Sequence, residues 1–196
     1  LGIGVFGSTN DVVARMMLEH SGINPDKDVK IVAFGFDSAR LAALQEGLVD
    51  AALIAPPADA QARRAGFNVL ARANDFLKFP HIGLGTSNRV IKDKPQELKK
   101  VIKAMVRANR FIRENRDESI KVLMEWGRTE RENAADAYDS TWQVFSADGN
   151  LAEEGMRLVI EDAKKALKVT RPVQLREVAD AAPLREALKE LGLKPR

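Results

Sequence analysis

The residue pattern changes once along this chain of 196 residues, and that change limits what the chain can fold into. Up to residue 87, short apolar runs alternate with amphipathic segments. Residues 2–6, 29–34 and 50–54 read as strands, and 11–20, 38–46 and a segment from Pro56-Pro57 to near Gly66 read as helices. Residues 69–71 and 82–86 read as two further short strands. From Pro95 onward only helices are predicted: 95–116, 117–125, 130–145, 151–167 and 184–191. Strand–helix alternation predicts an α/β fold with a mostly parallel sheet and helices on its faces. The helical stretch has no sheet of its own, so its apolar faces must cover something else. The expected division is an α/β lobe at 1–87 and a helical part at 88–196.

Local signals support these elements. Val12, Val13, Met16 and Met17 share one face of the first helix, Ser8 and Asp11 form a plausible capping pair, and Gly22 is a stop. The third strand, DAALI, is apolar enough for burial on both faces. In the long basic helix at 95–116, Leu98, Val101, Ile102, Met105, Val106 and Ile112 make the apolar side. Tyr138 and Trp142 stand four residues apart, and with Trp126 they read as core, although a ring stacked on a ligand stays open.

Charge and composition exclude several classes. The net charge of +3 gives no reason to infer a nucleic-acid surface. The basic run from Lys92 to Arg116 holds one aromatic, Phe111, and reads as a solvated helix face. No apolar run approaches the roughly 18 residues a membrane span needs. The absence of cysteine excludes disulfides and thiolate metal sites. His20 and His81 are the only histidines, a weak basis for a metal site. No Ser-His-Asp or H-E-x-x-H arrangement is readable, and Glu130, Glu132 and Asp136 sit on polar helix faces. Neither a catalytic group nor a cofactor is expected. Leu1 falls inside a predicted strand with no initiator methionine or signal peptide before it, so a processed chain or a piece of a longer one is expected.

The opening GIGVFG, from Gly2 to Gly7, matches G-x-G-x-x-G. A dinucleotide fingerprint needs a strand before its first glycine and a helix near its third. Here Ile3, Val5 and Phe6 lie among the glycines as in a strand, and Asp37, the candidate ribose acid, comes 35 residues after Gly2, which is too far. The plainer reading is that Gly2 and Gly4 are packed closely by a neighbour. An NAD-dependent oxidoreductase is the alternative this motif keeps open.

Three strand-end loops carry the remaining signal. Gly7, Ser8, Thr9 and Asn10 stand at a predicted helix N-terminus, where free amides attract a carboxylate, sulfonate, phosphate or nitrate group. An ordinary helix cap explains them equally well. Phe36, Asp37 and Ser38 follow the second strand, and Ala55, Pro56 and Pro57 follow the third. In open α/β sheets ligands bind at the carboxyl ends of strands, so these loops are expected to line one cleft wall unless they are simple turns.

The stretches GIGVFGSTND, DSARLAALQEGLVDAALIAPPADAQARRAGFNVLA, KAMVRANRFIRENRDESIKVLMEW and VADAAPLREALKEL resemble substrate-binding proteins of ABC importers for nitrate, sulfonate, taurine and thiamine-precursor pyrimidines. These are type II periplasmic binding proteins, and R-L-A-A-L-x-x-G-x-V-D-A-A at 40–52 carries most of the likeness. The resemblance implies two α/β lobes with the ligand between them. Lobe two would lie at 1–87, 88–196 would hold helices of an incomplete lobe one, and the N-terminal part would be missing. It implies a small-molecule ligand held by Gly7–Asn10, Phe36–Ser38 and Ala55–Pro57, with Arg40 structural. It also implies an ABC permease partner, a periplasmic or extracellular membrane-associated location and no enzymatic activity. Related pyrimidine synthases use a cysteine-rich motif that this chain lacks. Self-association to cover exposed faces is a further expectation. The effector domain of a LysR-type regulator shares the two-lobe fold and is the second alternative.

Overall fold

The computed structural model describes residues 1–75, 77–78, 80 and 82–194. His81 lies outside the described residues. The chain divides into two compact units, Leu1–Leu77 with Glu132–Ala137, and Lys78–Arg131 with Tyr138–Arg196.

The first unit is built on a short parallel pairing. β1 (Gly2–Ile3) pairs with β2 (Val32–Ala33), and on its other edge Gly2 bridges in parallel to Ala52. The ladder bonds are Val32 N–H to the Leu1 carbonyl at 3.0 Å, Phe34 N–H to Ile3 at 2.9 Å, Gly2 N–H to Ala51 at 2.8 Å and Leu53 N–H to Gly2 at 2.9 Å. Ile3 is fully buried at the centre. A Cβ on Gly2 would stand 3.4 Å from Val49, 3.5 Å from Ala52 and 3.6 Å from Phe34, ordinary van der Waals contact, so close packing does not require a glycine there. Three helices follow the strands: α1 (Thr9–His20), α2 (Asp37–Gln45) and α3 (Ala58–Arg64). Ala14, Leu41, Ala43, Val49, Ala58, Ala60, Ala62 and Ala134 complete this core. The core is thus dominated by alanine, which lets helix and sheet backbones approach closely but buries little area per residue.

The sheet is much smaller than the alternation predicts. The strand expected at 2–6 ends at Ile3 because the Gly4 N–H is taken by Asn10 Oδ1 at 3.0 Å, and the chain then turns, with Ser8 N–H donating to the Val5 carbonyl at 3.1 Å. The strand expected at 29–34 narrows to Val32–Ala33. DAALI pairs at Ala52 alone, and its residues from Ala51 to Ile54 are half-buried rather than covered on both faces. Residues 69–71 and 82–86 form no strand, and Leu70 and Ile82 are about four-fifths exposed, at 83% and 79%. Apolar runs of this kind specify a strand only where a neighbour supplies the ladder bonds.

The second unit is helical. It contains α4 (Asn88–Asp93), α5 (Pro95–Glu114), α6 (Arg116–Gly127), parts of α7 (Arg131–Thr141), a 3₁₀ turn at Trp142–Val144, α8 (Glu153–Ala166), α9 (Leu175–Val178) and α10 (Ala182–Glu190). α4, α9 and a 3₁₀ turn at Ala73–Asp75 in the first unit have no counterpart in the sequence reading. α9 opens with a reciprocal cap between Gln174 and Glu177. α5 and α6 are separated at Asn115, whose backbone leaves the helical region. α10 packs on α5, with Leu98, Val106, Ala187 and Leu188 buried. Glu190 on α10 receives Lys99 at 2.6 Å and Lys103 at 2.7 Å. Tyr138 is buried and donates its hydroxyl to the Ile112 carbonyl at 2.6 Å, as a core tyrosine does. Trp142 is half-buried with the Arg113 guanidinium 5.2 Å over its ring, whereas Trp126 is 86% exposed and does not join the core. Arg116 pairs with Asp139 through two bonds, which raises the arginine and lowers the carboxyl from their ordinary values. Among the described residues no helix is long and apolar enough to cross a membrane.

Two predictions follow from this packing. A Cβ on Gly155, in the first turn of α8, would lie 1.9 Å from the Lys78 carbonyl oxygen and 2.9 Å from Pro80. Backbone cannot yield as a flexible side chain does, so Gly155→Ala should destabilise the second unit by roughly 1–3 kcal/mol or more in chemical denaturation. The paired lysines hold the Glu190 carboxyl at about 2, down from 4.5. Its contribution is therefore complete above pH 4.5 and fades as the pH falls toward 2. Glu190→Gln should melt below the wild type at pH 6, with the gap narrowing by about pH 3; a gap independent of pH would remove the ion pairs as its cause.

Candidate functional site

Because β1, β2 and the Ala52 bridge are all parallel, their carboxyl ends lie on one edge of the first unit. The loops that leave them contain every candidate ligand residue: Gly7, Ser8, Thr9 and Asn10 after β1; Phe36, Asp37 and Ser38 after β2; Ala55, Pro56 and Pro57 after the bridge.

The first loop reverses at Gly7, whose φ of +74° is a left-handed conformation that glycine adopts without a steric penalty. Its N–H donates to Asp11 Oδ2 at 2.8 Å, and Arg15 Nε holds the other oxygen of that carboxylate at 2.8 Å. Asp11 thus reaches back to Gly7 rather than closing a capping box with Ser8. Ser8 is the N-cap of α1 by its backbone, but its hydroxyl donates to the Val5 carbonyl at 2.6 Å and caps no amide. Among the described residues, no acceptor meets the backbone amides of Thr9, Asn10 and Asp11. They are the open donors of the helix N-terminus. Thr9 is exposed, Asn10 is half-buried and Asp11 is buried.

The second and third loops are joined from below. Gly35, at φ +79°, turns the chain into Phe36, which is 85% exposed and stands at the N-cap of α2. Asp37 Oδ1 accepts the Ala55 N–H at 2.7 Å and Arg40 Nη2 at 2.5 Å. Arg40, expected to be structural, is only 3% exposed. Its Nε donates to the Leu53 carbonyl at 2.6 Å and its Nη1 to the Gly35 carbonyl. A buried guanidinium is tolerated when each of its faces finds an acceptor, as here. Gly4 lies against the same cation: a Cβ there would come within 3.2 Å of Nη1. Pro57 takes the N-cap of α3 and the helix proper begins at Ala58, one residue beyond the prolines.

This geometry bears on GIGVFG. Gly2 is inside β1, the Gly4 N–H is bound to Asn10 and the Gly7 N–H to a carboxylate. In a dinucleotide loop those amides face the pyrophosphate. Here they are used internally. No group of three or more His, Cys, Asp or Glu side chains placed to hold a metal ion occurs among the described residues. Two open surface hollows, of about 420 and 760 Å³, belong to the second unit near Arg185 and include none of the strand-end residues.

The sequence model of the NMT1-like family matches residues 1–126, which takes in all of these loops and the helices through most of α6. No curated protein and no solved structure matches the chain. With that family model spanning well over half its length, the chain belongs to the NMT1-like family, a family of ABC-transporter substrate-binding proteins with a periplasmic-binding-protein-like fold.

Proposed function

We propose that the chain is the solute-binding component of an ABC importer, and that it holds a small polar or anionic molecule of the sulfonate, nitrate, carboxylate or pyrimidine type between two lobes. Residues 1–87 are then lobe two, and 88–196 are helices of lobe one. The observation that carries the reading is the trio of open amides at Thr9, Asn10 and Asp11, at the end of the middle strand, flanked by two further strand-end loops. Unpaired N–H groups at a helix start favour an anion's oxygens through hydrogen bonds and through the helix dipole. The exposed Phe36 of the second loop, and the exposed Val5 and Phe6 of the first, offer apolar surface for the remainder of the molecule. Such a chain performs no covalent chemistry. Solute contacts made only in the closed form shift the population toward closure, and a permease reads that form. The location that goes with this role is the periplasmic or outer face of a membrane.

A thermal-shift screen with nitrate, taurine, alkanesulfonates, aromatic carboxylates, pyrimidines and NADH tests the reading. A rise in melting temperature with one of the first five classes is the expected outcome, and a rise with NADH alone would overturn it. Asn10→Asp sharpens the test. The new side chain keeps an acceptor for the Gly4 N–H, so the fold holds, but it adds negative charge at the open amides. Calorimetric affinity for an anionic hit should fall by roughly tenfold or more, about 1.4 kcal/mol, with melting in the absence of solute little changed. Undiminished affinity for the anion would take the α1 N-terminus out of the site.

A further inference from the structure

We propose that Asp37 and Arg40 are a positioning pair that sets the spacing of the second and third strand-end loops, with Asp37 serving the binding wall through the Ala55 amide rather than by touching the solute. The inference rests on the reading of the first unit as a solute-binding lobe and deepens it. The pair meets both loops at several points. Arg40 holds the carbonyl of Gly35, just before the second loop turns, and that of Leu53, just before the third. Asp37, inside the second loop, holds the N–H of Ala55, 18 residues away in sequence. A single carboxylate oxygen accepts from both Arg40 and Ala55, so the arginine neutralises the acid where it meets the third loop.

Three consequences separate this role from a direct solute contact. A bare carboxylate at this edge would repel an anion, whereas one committed to a buried guanidinium presents little net charge. The contacts of Arg40 are to backbone carbonyls, which fix where the loops run whatever side chains they carry. Gly4 leaves room for the guanidinium, since a Cβ there would press on Nη1 at 3.2 Å, while it would meet Asn10 Oδ1 and the Gly35 carbonyl at an ordinary 3.4 Å. The first loop is therefore packed against the same clamp.

Asp37 is 38% exposed, so its replacement leaves no cavity in the core, but it removes both the bond to Ala55 and the acceptor of the buried Arg40 Nη2. Amide hydrogen exchange followed by NMR, with no solute present, compares Asp37→Ala, Asp37→Asn and the wild type. In Asp37→Ala the Ala55 amide should accelerate roughly tenfold more than the ladder amides of Gly2 and Phe34, which report the general loss of stability from the stranded guanidinium. Asp37→Asn retains an acceptor oxygen and should bring Ala55 back to within about threefold of the wild type. The proposal fails if Ala55 exchange is unchanged in Asp37→Ala, if the ladder amides accelerate as much as it does, or if asparagine restores nothing. No solute enters this measurement, so silence of the small-molecule screen would sink the transport reading and leave the positioning role standing.

Discussion

A full positive charge sits inside the first unit, and the candidate binding edge is organised around it. Arg40 is buried to 3%, in a unit whose core is mostly alanine and whose sheet is two residues wide on each strand. Few ladder bonds and little apolar area are available to fix where the strand-end loops go. The guanidinium supplies that order instead, because an unsatisfied donor at this depth costs far more than a satisfied one gains. Displacing the Gly35 carbonyl, the Leu53 carbonyl or the Asp37 carboxylate from its place would strand one N–H group. The loops are thus held by the penalty for moving, which would suit the binding wall proposed for this edge.

The longer helices were legible in the sequence and the strands only in part, for a physical reason. α5, α6, α8 and α10 each bury one stripe along their own length, so their periodicity is written locally; the observed bounds, Pro95–Glu114 for instance, differ from the expected 95–116 by two residues. A strand is defined by its neighbours. Val69, Leu70, Ile82 and Leu84 have the apolar character of strand residues, yet none of them is in a strand and all are exposed. Gly4 and Val5 leave the strand register because the Asn10 amide, six residues on, captures a ladder donor. That capture depends on where α1 sits, which no local pattern states. The same limit applies to Trp126, placed among core aromatics by its type and found at the surface, while Tyr138 is buried and bonded to Ile112.

At the candidate site, the sequence located the loops and left their chemistry open. Gly7–Asn10, Phe36–Ser38 and Ala55–Pro57 leave parallel strand ends on one edge, as the alternating pattern predicts. What each side chain does was hidden. Ser8 reads as a cap and donates to Val5 instead, and Asp11 reads as its partner and holds Gly7. Asp37 and Arg40 are three residues apart on α2, a spacing that puts them on one face, but the Ala55 amide and the Leu53 carbonyl that complete the clamp come from far along the chain. Gly155 is another case: its need to be glycine comes from the Lys78 carbonyl, which lies 77 residues earlier.

The charge of the chain follows the same logic of internal use. The run from Lys92 to Arg116 looks like a basic surface when read alone, but Lys94, Lys99, Lys103, Arg110 and Arg116 each meet a carboxylate, and Arg113 is spread between two backbone carbonyls and the face of Trp142. In the first unit Arg15, Arg63 and Arg64 are matched by Asp11, Asp59 and Asp136. With these cations answered by acids, the donors left open at the strand-end edge are backbone amides, at Thr9, Asn10 and Asp11. A backbone N–H leaves no mark in the sequence, since any residue carries one. This is why the anion site proposed for this edge would have no diagnostic motif, and why G-x-G-x-x-G can match the loop in letters without sharing its chemistry. In the proposed reading the identity of the solute would be set by the exposed Val5 and Phe6 of the first loop, the Phe36 ring of the second, and the other lobe.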